Sequence, residues 1–169
     1  MITKVVRVIE FISEWSGRLT AWFALALVFV LAAEVFMRYV LSRPTVWSYE
    51  VSMMLGATIY AIGLAYTYLH DGHVRVDVIW RLLPQRGQVI ADVIASLLFF
   101  FPLMIIIAYV SAQFMVFSIS AGEKLAITNF HPPSWPLRVL ILLGVLLFIT
   151  QGVSKLIRDL HLSRQNESL

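Results

Sequence analysis

Three charged side chains interrupt otherwise apolar sequence at a spacing that lets them meet. Glu34 and Arg38 are four residues apart, one helical turn, and so share a helix face. Glu50 follows the short turn Ser42-Arg43-Pro44-Thr45-Val46-Trp47, which brings the chain back at a similar depth. A bare intramembrane charge costs at least ~2.5 to 3.5 kcal/mol on insertion scales, so Glu34, Arg38 and Glu50 are expected to gather in one cluster. Such a cluster can be a staple that fixes helix packing, with Arg38 reaching the headgroups, or a site for a transported ion. Its place near span ends, away from the midplane, favours the staple. Other chemistries are argued down. His70, His73, His131 and His161 fall outside the apolar stretches and are not placed to ligate a membrane haem. The absence of cysteine removes disulfides and thiolate metal sites. No nucleophile and base pairing, nucleotide loop or metal-ligand cluster is found, so no catalytic residue, substrate site, metal or cofactor is expected in this chain.

The elements that must hold these charges are membrane helices. Of 169 residues, 60% are hydrophobic and only 14% charged, and the mean hydropathy is +0.83, far above an ordinary soluble mixture. Four spans, each near the ~20 residues that cross a ~30 Å core, are placed at residues 19–41, 49–69, 89–117 and 136–156. The expected fold is all-α, a single four-helix transmembrane domain over residues 1–169. Before the first span, Lys4, Arg7, Glu10, Glu14 and Arg18 alternate with apolar residues in helical spacing, predicting a helix that begins at the membrane surface. A cleaved signal peptide is the competing reading, but no small-residue cleavage site followed by a polar chain is seen. The third span, 29 residues at ~1.5 Å each, reaches ~43 Å and must tilt or project. Pro102 within it predicts a kink. Gly56 and Gly63 on the second span are expected to mark close helix contacts.

Between the second and third spans, Val76, Ile79, Trp80 and Leu83 fall on one helical face, while Asp71 with Arg75 and Asp77 with Arg81 form opposite-charge pairs four apart. A short amphipathic helix lying in the interface and ended by Pro84 fits both patterns; a solvated loop is the alternative. The basic residues sit around the spans, which reads as phospholipid contact and membrane orientation, not nucleic-acid binding. With both termini and the second connection on one side, that side holds nine basic residues: Lys4, Arg7, Arg18, Arg75, Arg81, Arg86, Lys155, Arg158 and Arg164. The other side holds four: Arg38, Arg43, Lys124 and Arg138. The bias places both termini in the cytoplasm.

The chain resembles the small membrane subunit, the Q or DctQ type, of tripartite ATP-independent periplasmic (TRAP) transporters. The likeness lies in Glu34, Arg38 and Tyr39, then Trp47 and Glu50, then Gly63, Ala65 and Tyr66, then His73, Val74, Val76 and Asp77. It thins after Pro102 to Gly122-Glu123, the proline-rich approach to the fourth span and Gly144. The resemblance implies partners: a large membrane subunit that carries the solute and sodium sites and moves as an elevator, and a periplasmic solute-binding protein. The small subunit then acts as a scaffold in a bacterial inner membrane for import of an organic, carboxylate-type solute, and the polar tail at Leu169 suggests a form not fused to the large subunit. Trp47, Gly56, Gly63, Tyr66, His73, Asp77 and Trp80 are the expected subunit-facing or lipid-facing residues. The alternative function is a membrane anchor or assembly subunit of a respiratory enzyme.

Overall fold

The computed structural model describes residues 2–70 and 84–166. Helix α1 runs Ile2–Tyr39, α2 runs Ser48–Leu69, α3 runs Gln85–Ala95, α4 runs Phe101–Ala121 and α5 runs Trp135–Asn166. A π turn, Ser96–Phe100, joins α3 to α4 so that they form one span. Among the described residues, four helical stretches are long and apolar enough to cross a membrane: Val6–Tyr39, Ser48–Leu69, Ile90–Ala121 and Trp135–Arg158. They coincide with the four expected spans, with two corrections at the ends. The surface helix expected before residue 19 is continuous with the first span, because no proline interrupts residues 2–39 and the glycine there is held in a helix contact. The fourth helix also runs on through the polar tail as far as Asn166.

The backbone departs from a regular α-helix directly before Pro102. Proline offers no N–H, and just before it the Phe101 N–H reaches back five residues to the Ser96 carbonyl. The wider turn swings Phe100 toward α2 and α5, where its ring lies 5.6 Å from Tyr68 and 5.1 Å from Phe148. Lys155 sits over the Tyr68 ring at 4.8 Å.

Helix α2 lies between α1 and α5, which also touch each other, and α4 packs on α5. The buried apolar residues are few: Ala61, Ile62 and Ala65 on α2, with Leu137, Val145 and Phe148 on α5. Polar residues fill the rest of the interior, among them Ser13, Ser16, Thr58, Gln151 and Ser154, whereas Trp22 is 70% and Phe99 74% exposed. That inversion of the soluble pattern suits a lipid surround, in which outward apolar groups cost nothing and polar groups seek partners inside.

The glycines that permit close approach differ from those expected. A side chain at Gly144 would meet the Ala61 backbone and its Cβ at 2.9 Å, one at Gly152 would run into Phe100, and one at Gly17 into the Tyr66 ring. Gly63 lies 3.7 Å, measured from a Cβ position, from Thr20 of α1, and Gly56 has nothing within 4 Å. Within this chain the expectation of close contact at Gly56 is therefore corrected: the tight crossing of α2 is made where Gly144 of α5 meets Ala61.

Candidate functional site

The polar chemistry collects at two ends of the bundle. At the hairpin end, where α1 turns into α2, Glu34 is buried on α1 and accepts from Arg38 Nε at 2.9 Å and Nη2 at 2.5 Å through its Oε1. Its Oε2 accepts from the Thr45 N–H at 3.0 Å and from the Thr45 hydroxyl. The turn that brings Thr45 back places Ser42 in the left-handed region at φ 53, and the Arg43 N–H closes on the Met37 carbonyl at 2.9 Å. One carboxylate thus joins the end of α1 to the approach of α2, while the Arg38 side chain stays 54% exposed, with its charge toward solvent or headgroups.

Glu50 takes a different role from the one expected. It is fully buried in the first turn of α2, a favourable place for a carboxylate. Its Oε1 accepts from the Thr128 N–H at 2.9 Å in the connection between α4 and α5. It forms no ion pair with Arg38, and its Oε2 has no hydrogen-bond partner among the described residues. The three-charge cluster is therefore corrected to a Glu34–Arg38 pair and a separate Glu50 latch. The reason is local: Thr45 occupies the oxygen of Glu34 that Arg38 leaves, and α2 turns Glu50 toward residues 122–134.

That connection has an organising carboxylate of its own. Gly122 leaves α4 in the left-handed conformation at φ 60. The Glu123 carboxylate accepts from the Ser134 hydroxyl at 2.8 Å and from Arg138 at 3.4 Å. The Ser134 hydroxyl also lies 2.7 Å from that of Ser118, and both serines are buried. Backbone bonds from Ser134 N–H to the Glu123 carbonyl at 3.0 Å and from Leu125 N–H to the Pro132 carbonyl at 2.9 Å close the lobe. The Ser134 hydroxyl first, and Arg138 with it, hold the Glu123 carboxyl below its ordinary value of 4.5.

At the opposite, terminal end, the Ser13 hydroxyl donates to Gln151 Oε1 at 2.9 Å, tying α1 to α5. Glu14 lies 3.0 Å from His70 and 3.8 Å from Arg18, and Glu10 lies 4.0 Å from Arg158. Glu10, Glu14, His70 and Arg158, with Arg7, Phe11 and Leu69, line an open groove of about 420 Å³. Among the described residues, Gln113 and Thr150 bond within their own helices, to Tyr109 and the Leu147 carbonyl.

Of the other expected surface residues, Trp47 is 39% exposed just before α2, while Gly63 and Tyr66 are engaged by α1 within this chain. His73, Asp77 and Trp80, and the interfacial helix that would carry them, lie outside the described residues. Sequence reasoning missed Thr45, Ser118, Thr128 and Ser134 as carboxylate partners. The available signal was weak: Glu123 and Arg138 bracket a short loop, and Ser134 precedes a helix whose second residue is proline. Among the described residues, no group of three or more His, Asp or Glu stands close enough to hold a metal ion.

Residues 27–162 match the family model described as tripartite ATP-independent periplasmic transporters, DctQ component. A comparison with curated proteins finds no match.

Proposed function

Because this chain belongs to the DctQ component of the tripartite ATP-independent periplasmic transporters, we propose that it is the static scaffold of a sodium-coupled importer of organic, carboxylate-bearing solutes. It is the small membrane subunit of a tripartite ATP-independent periplasmic transporter, a transport component. In the proposed arrangement a larger membrane subunit holds the solute and sodium sites and moves as an elevator against this one. A periplasmic binding protein delivers the solute, and both termini of this chain face the cytoplasm.

The observation that carries this reading is the closed centre of the helix group. Between the two polar ends, α2 and α5 meet through Ala61, Ile62, Ala65, Val145 and Phe148, with Gly144 against the Ala61 backbone. Helices that bind solute at the midplane are broken there, so that free backbone groups face a cavity. Here α2 and α5 are continuous, the π turn next to Pro102 sends the Phe100 ring against Phe148, and the carboxylates are used at the ends to bind loops.

Reconstitution into liposomes under a sodium gradient tests the proposal, with the binding protein present throughout. This chain alone is expected to give no uptake, and the two membrane subunits together full uptake. Uptake by this chain alone would refute the scaffold role, and full uptake by the large subunit alone would make the scaffold dispensable.

A further inference from the structure

We propose that the connection from Gly122 to Ser134 is an interfacial foot. It sinks Ile127 and Phe130 into the membrane interface at the hairpin end, among basic side chains that hold anionic phospholipid headgroups. Ile127 is 52% and Phe130 49% exposed at the tip of this connection. Their depth is pinned, because the Thr128 N–H between them donates at 2.9 Å to the Glu50 carboxylate in the first turn of α2. Helix α2 has 22 residues, ~33 Å at ~1.5 Å each, and hardly outlasts a ~30 Å hydrocarbon core. Its first turn therefore lies at the edge of that core, and Ile127 and Phe130 lie there with it. Trp47 just before α2 and Trp135 at the start of α5 are exposed at the same end, as aromatic residues are at membrane interfaces.

The backbone of the connection suits that layer. Irregular chain cannot enter hydrocarbon while its N–H and C=O groups are free. Here Lys124 and Pro133 pair as an antiparallel bridge, flanked by the Leu125 bond to Pro132 and the Ser134 bond to Glu123. Pro132 and Pro133 bring no N–H, and the Phe130 N–H reaches the Thr128 hydroxyl at 3.3 Å. The stem is thus closed on itself, and the tip needs only the polar partners that headgroups and interfacial water supply.

Charge selects the lipid. The carboxylates of this end are used within the chain: Glu34 by Arg38 and Thr45, Glu50 by Thr128, and Glu123 by Ser134 and Arg138. Arg43 and Lys124 are exposed and form no ion pair among the described residues, and the Arg38 side chain is 54% exposed beside its one partner. The charge left to face outward at the level of the foot is therefore basic. Apolar side chains that enter the interface beside basic ones are the pattern of a surface that draws anionic lipid. The inference needs only the membrane and stands apart from the family reading above.

The test places nitroxide labels at Ile127→Cys and Phe130→Cys of the full chain, in nanodiscs of mixed phosphatidylethanolamine and phosphatidylglycerol, alone and with the large membrane subunit. Oxygen, which gathers in lipid, is expected to collide with both labels more often than a water-soluble nickel chelate does. Nickel exceeding oxygen at either label would stand the foot in water and overturn the proposal. Loss of both collisions when the large subunit is added would make the foot a protein contact, which also overturns it. A second arm maps adducts of photoactivatable lipids on residues 122–134 of the cysteine-free chain. A phosphatidylglycerol probe is expected to exceed a phosphatidylcholine probe at least about threefold, and Arg43→Gln combined with Lys124→Gln to erase the excess. Equal adducts from the two lipids, or an excess that survives both substitutions, would overturn the headgroup assignment.

Discussion

Each of the three organising carboxylates ties a loop to a helix, and each does so with different donors. Glu34 keeps both Thr45 donors when Arg38 is removed, and the guanidinium is half exposed. Arg38→Ala should therefore lower thermal stability in detergent by only about 1 kcal/mol, with Arg38→Lys restoring part of it. A sodium-to-solute ratio that changed with assembly intact would instead make the pair an ion site. Glu50 has one oxygen bound to Thr128 and one unpartnered among the described residues. Glu50→Gln keeps an acceptor for the Thr128 N–H, so hydrogen exchange of the Thr128 amide should stay slow. In Glu50→Ala that amide should exchange at least about tenfold faster, a loss of one hydrogen bond worth at least ~1.4 kcal/mol. Glu123 supplies the pH dependence. Its carboxyl is lowered in the folded chain, first by the Ser134 hydroxyl, so the stabilisation is present above the unfolded value and is lost as pH falls through the lower folded one. Protection of the Ser134 and Leu125 amides, taken relative to their intrinsic exchange rates, should fall only below about pH 4.5, and Glu123→Gln should abolish that acid step.

Among the helices, the sign of a substitution depends on where the crossing falls. A methyl at Gly144 would push on the Ala61 backbone, which cannot yield as a flexible side chain can. Gly144→Ala should thus part α2 from α5 and cost about 1 to 3 kcal/mol, read as a fall in thermal midpoint. Gly56→Ala meets open space and should be neutral or slightly stabilising, since alanine is the better helix former. If both variants behaved alike, the crossing of α2 and α5 would not be the tight contact described here.

For the molecule as a whole, the balance of basic residues predicts which end is cytoplasmic. The chain has no native cysteine, so single cysteines at Gln165 and Ala121 can be labelled without background. In intact spheroplasts an impermeant reagent should reach Ala121→Cys and not Gln165→Cys; the reverse pattern would invert the topology. That result would also decide on which side of the membrane the Glu34, Glu50 and Glu123 lobe stands.

The sequence by itself determined the class of molecule, four membrane-crossing helices near their expected positions, a disturbance at Pro102 and the pairing of Glu34 with Arg38. All of these follow from composition, length and local spacing along one helix. Only the tertiary structure decided that Glu50 binds Thr128 and not Arg38, because that contact joins residues 78 apart. Only it chose Gly17, Gly144 and Gly152 over Gly56 as contact glycines, because a glycine's use depends on which neighbouring helix crosses it.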